Sequence, residues 1–178
     1  MVIKSLFGSR ISKWIGVSAV LGSAYAAQPY RPVVFVGNSM AATYANHELA
    51  LGTTDLSHLK VGDVVVIDMG DCTIVKRIAK MPGDKIKRLK IGNCWTYEYG
   101  VNANAMHHKG LIGVRWDTVP QGYVFVLGDN LLGSRDSRAF GDVSMNSIKA
   151  VLLHPKAKRE LTADEYLRLV DSDAPKTP

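Results

Sequence analysis

Short apolar runs, many rich in β-branched residues, alternate with tight polar breaks along most of this 178-residue chain. Arg31–Val36, Asp63–Asp68, Thr73–Ile78, Lys85–Ile91, Cys94–Tyr99, Gly122–Leu127 and Ile148–Leu153 each have the length and composition of a strand. Val61-Gly62-Asp63, Met81-Pro82-Gly83-Asp84, Ile91-Gly92-Asn93 and Gly128-Asp129-Asn130 punctuate them as turns. One helix is predicted near the C-terminus, with Thr162 and Glu165 as a capping box and Leu161 and Tyr166 as a hydrophobic staple. The fold class is therefore mostly β, in one domain with no internal repeat.

The N-terminus has a different pattern. Lys4, Arg10 and Lys13 precede an uncharged apolar run, Trp14–Ala27. Positive charge before such a run keeps the N-terminus in the cytoplasm and sends the downstream chain across the membrane. The run has 14 residues, fewer than the roughly 20 that span a bilayer as a helix. It reads either as a short anchor helix that borrows flanking residues or as a cleavable signal ending in Ala24-Tyr25-Ala26. A buried helix of a soluble domain is the third reading. The expected organisation is a tail and anchor or signal over 1–29, a domain over 30–160, and a C-terminal helix with a frayed tail over 161–178.

Charge adds one exclusion. No acid precedes Glu48, so Lys4, Arg10, Lys13 and Arg31 account for four of the +6 net charges. The body of the chain is close to neutral, which gives no basic groove for nucleic acid. Two cysteines, Cys72 and Cys94, are too few for a disulfide scaffold. The five histidines form no H-E-x-x-H pattern, and there is no G-x-S-x-G elbow.

Two residues carry candidate chemistry. Ser39 lies in Gly37-Asn38-Ser39-Met40, directly after an apolar strand. A serine at such a break can offer both its hydroxyl and its own N–H to a substrate carbonyl, although serines after strands are common. Lys76 lies inside the apolar strand Thr73–Ile78, where alternation puts it on one face with Ile74 and Ile78. It either snorkels to water as an edge-strand lysine or loses its proton to desolvation and becomes a general base.

Four blocks in order then carry a resemblance: Ser39-Met40, Gly62–Val66, Lys76-Arg77-Ile78 through Pro82-Gly83-Asp84, and Gly128–Gly141 (GDNLLGSRDSRAFG). Over about residues 33–153 the chain resembles the type I signal peptidases, Ser-Lys proteases that include conjugative pilin-maturation and mitochondrial inner-membrane relatives. The resemblance implies a compact coiled β-sheet catalytic domain, with Ser39 as nucleophile and Lys76 as neutral base. It implies that Ser134 hydrogen-bonds the lysine, that Asp136 and Arg138 hold the polar turn, and that Val36, Met40 and Ala41 line a shallow substrate site. A lysine base must stay uncharged, so such a dyad needs no third acid. No metal or cofactor is implied.

Some positions depart from the family pattern. Asn38 replaces a common glycine, Ala42 a usual proline and Lys80 a usual glycine, and Gly37 lacks the hydroxyl that some members direct at the oxyanion. The expected activity is removal of signal peptides from exported precursors at the inner membrane, with the domain on its extracytoplasmic side and in contact with lipid. The alternatives are a maturation peptidase dedicated to one precursor, such as a conjugative pilin, and a self-cleaving regulator of the LexA type. Such regulators carry an N-terminal DNA-binding domain, in whose place this sequence has only a basic apolar segment.

Overall fold

The computed structural model describes residues 28–91, 93–97 and 111–159. Ten strands occur among them: β1 (Tyr30–Val34), β2 (Leu49–Thr53), β3 (Val64–Asp68), β4 (Thr73–Lys80), β5 (Lys85–Ile91), β6 (Cys94–Tyr97), β7 (Leu111–Thr118), β8 (Tyr123–Leu127), β9 (Val143–Ser144) and β10 (Ile148–Leu152). A single turn of helix, α1 (Ser137–Phe140), interrupts them. The strands form a seven-stranded sheet in the order β1-β2-β10-β3-β4-β8-β9 and a three-stranded sheet in the order β6-β5-β7.

The unbroken apolar run Val64-Val65-Val66-Ile67 suits β3 to the middle of the large sheet, where both of its faces are covered. Val65, Ile67, Ile78, Val124, Val126 and Ile148 pack on one face. Val33, Phe35, Met40, Tyr44, Val64 and Leu152 pack together elsewhere in the core. The small sheet docks through Ile86 and Tyr97 against Phe125 and Leu127 of β8, with the Tyr97 and Phe125 rings 5.1 Å apart.

The β class and all seven expected strands are present, but β2, β7 and β9 were not expected. β2 reads Leu-Ala-Leu-Gly-Thr, a composition of low strand propensity. Its partners β1 and β10 impose the extended form. Gly52 admits the close approach, since a Cβ there would lie 3.2 Å from the Val151 carbonyl oxygen. Gly113 and Asp117 break up the strand signal of β7, which nevertheless pairs along all of β5.

The apolar run 14–27, the helix expected after Leu161 and the end of the strand at Tyr99 lie outside the described residues. Among the described residues no helix is long and apolar enough to cross a membrane. Cys72 and Cys94 are both free and exposed.

Candidate active site

Beyond β1 the chain stays extended, with the Phe35 N–H donating to the Glu48 carbonyl at 3.0 Å. It turns at Gly37, whose φ of +87° disfavours any side chain. This is the physical reason that a hydroxyl-bearing residue does not suit position 37. Buried Met40 and Tyr44 then fasten the next turn to the core, and Tyr44 stacks on Phe35 at 4.1 Å. Ser39, between these anchors, remains partly exposed. Its N–H has no hydrogen-bond partner among the described residues.

Lys76 sits opposite Val65 of β3, on the face it shares with Ile74 and Ile78. It is only 3% exposed, so it is not a lysine snorkelling from an edge. Among the described residues no ion pair or hydrogen bond reaches its amine. Burial pushes its pKa below the ordinary lysine range; Asp136 and Asp129 pull it up, Arg138 pushes it further down, and burial prevails.

Gly128 brings these elements together. Arg77 pairs with Leu127, and one further step along that ladder sets Gly128 opposite Lys76. A Cβ on Gly128 would lie 2.1 Å from the Ser134 hydroxyl oxygen and 2.5 Å from the Ser39 carbonyl oxygen. Only glycine therefore lets the Ser39 turn and the Ser134 loop close over the end of β8. Asn130 holds the serine turn from the same loop. Its N–H donates to the Ser39 carbonyl and its Nδ2 to the Asn38 carbonyl, both at 3.1 Å.

Both carboxylates in electrostatic range of Lys76 are committed to a guanidinium. Asp136, fully buried, takes Nε and Nη2 of Arg138 at 2.8 and 2.9 Å and also accepts the Gly128 N–H at 3.0 Å. Burial opposes its charge, but Arg138 and the backbone donors outweigh burial and hold the carboxyl below its usual range. Asp129 takes Nε and Nη2 of Arg77 at 2.8 and 2.7 Å. Each pair is close to neutral as a unit, which leaves desolvation as the main influence on the lysine.

The expected residues are placed unequally. Ser39, Lys76, Ser134, Asp136 and Arg138 all lie around the end of β8, and the Asp136–Arg138 pair is formed as expected. The expected hydrogen bond from Ser134 to the lysine is not made. The Ser134 hydroxyl lies over the bare α-carbon of Gly128, buried and without a partner. Exposed Val36 and buried Met40 line a groove of about 340 Å³ between residues 32–37 and the start of β4 at 73–75. Ala41 is buried outside that lining, whereas Phe35, Ile74 and Val75 belong to it. Sequence reasoning assigned no role to Arg77, Asp129 or Asn130, although all three stand inside the quoted motif blocks. Among the described residues no cluster of His, Cys, Asp or Glu is placed to hold a metal ion.

Comparison with known proteins adds four findings. Residues 9–154 match the family described as signal peptidase, peptidase S26. The chain is 29% identical over 117 residues to mitochondrial inner membrane protease subunit 1 of Xenopus tropicalis, covering 62% of this chain and 59% of that protein. It is 31% identical over 140 residues to signal peptidase I S of Bacillus subtilis (strain 168), covering 71% of this chain and 76% of that protein. Among solved structures, a signal peptidase I from Enterococcus faecalis V583 is 25% identical, with a TM-score of 0.35 over 53% of this chain and 97% of that one.

Proposed function

The chain belongs to the signal peptidase family, peptidase S26, and from that premise we propose that it is a membrane-associated serine endopeptidase that removes signal peptides from exported precursors. Ser39 is the nucleophile and Lys76 the neutral general base. The observation that carries this reading is the Lys76 amine, buried and unpaired among the described residues, on the residue that the ladder sets opposite the glycine on which the Ser39 turn rests.

The chemistry rests on those positions. Lys76 takes the Ser39 proton as the serine oxygen attacks the scissile carbonyl, and the Ser39 N–H faces the developing oxyanion. The amine leaves with the proton from Lys76, giving an acyl-enzyme. Neutral Lys76 then deprotonates a water that hydrolyses the ester and regenerates the serine. The unpartnered Ser134 hydroxyl is available to orient the amine once substrate closes the site, since such hydrogen bonds often tighten only in the complex.

The groove supplies the substrate site. β1 is the outermost strand, and β8 pairs with β4 only from Arg77 onward. Each segment therefore offers an unpaired backbone edge to the groove, which suits an extended peptide adding as a strand. The apolar lining, with Val36 and Met40 among its side chains, favours small apolar residues before the cleaved bond.

Exposed Tyr30, Val34, Val36, Leu49 and Leu51 form an apolar surface across the β1–β2 hairpin. It supports lipid contact beside the site. Residues 1–29 would hold the enzyme at the inner membrane with this domain on the extracytoplasmic side.

A cleavage assay in detergent on a precursor with an Ala-x-Ala site tests the proposal. Ser39→Ala and Lys76→Met should each lower kcat by roughly a thousandfold or more with unchanged thermal melts. Cleavage by Lys76→Met at the wild-type rate would overturn the mechanism. Activity confined to a pilin precursor would narrow the substrate to the dedicated-maturation case.

A further inference from the structure

We propose that residues 155–159 are a strap that holds the Ser39 turn against the Lys76 strand, with Arg159 as its positioning residue; the proposal rests on the peptidase reading above. Ala42 has φ +80°, a left-handed conformation that non-glycine residues adopt only when their surroundings impose it. A proline, fixed near −65°, is incompatible with this backbone, so the departure at this position has a conformational reason.

The strap supplies the constraint. Arg159 Nε donates to the Ala42 carbonyl at 2.8 Å, and the Arg159 N–H donates to the Thr43 hydroxyl at 3.2 Å. The Lys156 N–H donates to the Tyr44 hydroxyl at 2.8 Å, and its ammonium pairs with Glu48 at 2.6 Å. Three successive residues of the turn that begins at Ser39 are thus tied to chain more than a hundred positions later.

The same strap reaches the base strand. The Lys156 carbonyl accepts Nη2 of Arg77 at 3.0 Å, and Arg77 adjoins Lys76. One short segment therefore ties the turn that carries Ser39 to the Arg77 side chain next to Lys76. Arg159 acts through the Ala42 carbonyl.

The test uses the full chain and two readouts. One is kcat and KM on the Ala-x-Ala precursor; the other is amide hydrogen exchange over residues 39–44. Arg159→Ala should speed that exchange and lower kcat about tenfold with KM within about twofold, as a misplaced nucleophile does. Ala42→Gly holds φ +80° without strain, so in that background the loss from Arg159→Ala should shrink to under about threefold.

Unchanged exchange in Arg159→Ala would overturn the strap. An equal loss in both backgrounds would overturn its action through Ala42. The exchange result decides the strap even if the wild-type chain cleaves no precursor, an outcome that would sink the peptidase reading alone.

Discussion

A Lys-Arg dipeptide between apolar residues occurs twice in this chain, as Lys76-Arg77 in β4 and Lys87-Arg88 in β5. The first is buried, with Lys76 at 3% and Arg77 at 9% exposure, and Arg77 makes a bidentate pair with Asp129. The second is only half-buried. Arg88 lies over the Tyr97 ring at 4.5 Å and reaches Asp117 at 3.3 Å, a carboxylate that it shares with Arg115. β4 lies inside a seven-stranded sheet and β5 is the middle of a three-stranded one. The same side chains are half-buried cations in the one setting and a desolvated amine beside a locked guanidinium in the other. Placement in the sheet, more than the dipeptide itself, decides the chemistry.

The largest test of this contrast removes the acid from each arginine. Asp129→Asn leaves Arg77 charged, buried and uncompensated, and should cost about 3–5 kcal/mol in denaturant unfolding. Asp117→Asn acts on a partly exposed pair and should cost no more than about 1 kcal/mol. Equal costs would mean that the two pairs do not differ in kind.

A second test concerns Lys76 itself. The proposed base would work as the neutral amine, so activity should rise with pH through its pKa, and a lowered pKa brings that rise toward neutral pH. Arg138 lowers this pKa and also occupies Asp136, which raises it. Arg138→Met removes the first influence and releases the second. The ascending limb of kcat/KM should therefore move to higher pH, losing about tenfold in neutral-pH activity for each unit moved. A limb that stays in place would show that the Asp136–Arg138 pair has no electrostatic part in the site. The smallest expected effect is that of Lys87→Met, which should leave kcat/KM within about twofold of wild type, against the collapse expected for Lys76→Met.

Local rules made much of the fold legible. Runs such as Val64–Ile67 and Tyr123–Leu127 carry their own strand propensity, and Met81-Pro82-Gly83-Asp84 encodes its own turn, closed by the Asp84 carboxylate accepting the Met81 N–H at 2.8 Å. Ser39, Lys76, Ser134, Asp136 and Arg138 could be singled out as candidates because their motif blocks contain them. β2 was not, because a Leu-Ala-Leu-Gly-Thr strand exists through its neighbours more than through its own preferences. The groove residues Phe35, Ile74 and Val75 were not legible either, since they line one groove only after the fold has brought the segment following β1 near the start of β4.

By itself the sequence determined a mostly β chain with a serine after one strand and a lysine within another. Periodicity and turn chemistry act over a few residues, and they suffice for that much. Only the tertiary structure decided that Lys76 is desolvated rather than snorkelling, that Ser134 rests on Gly128 rather than bonding the lysine, and that Arg159 fastens a strained Ala42. Burial and charge pairing depend on groups far apart in the chain, and their effect on a pKa or a backbone angle exists only once the sheet has closed around them.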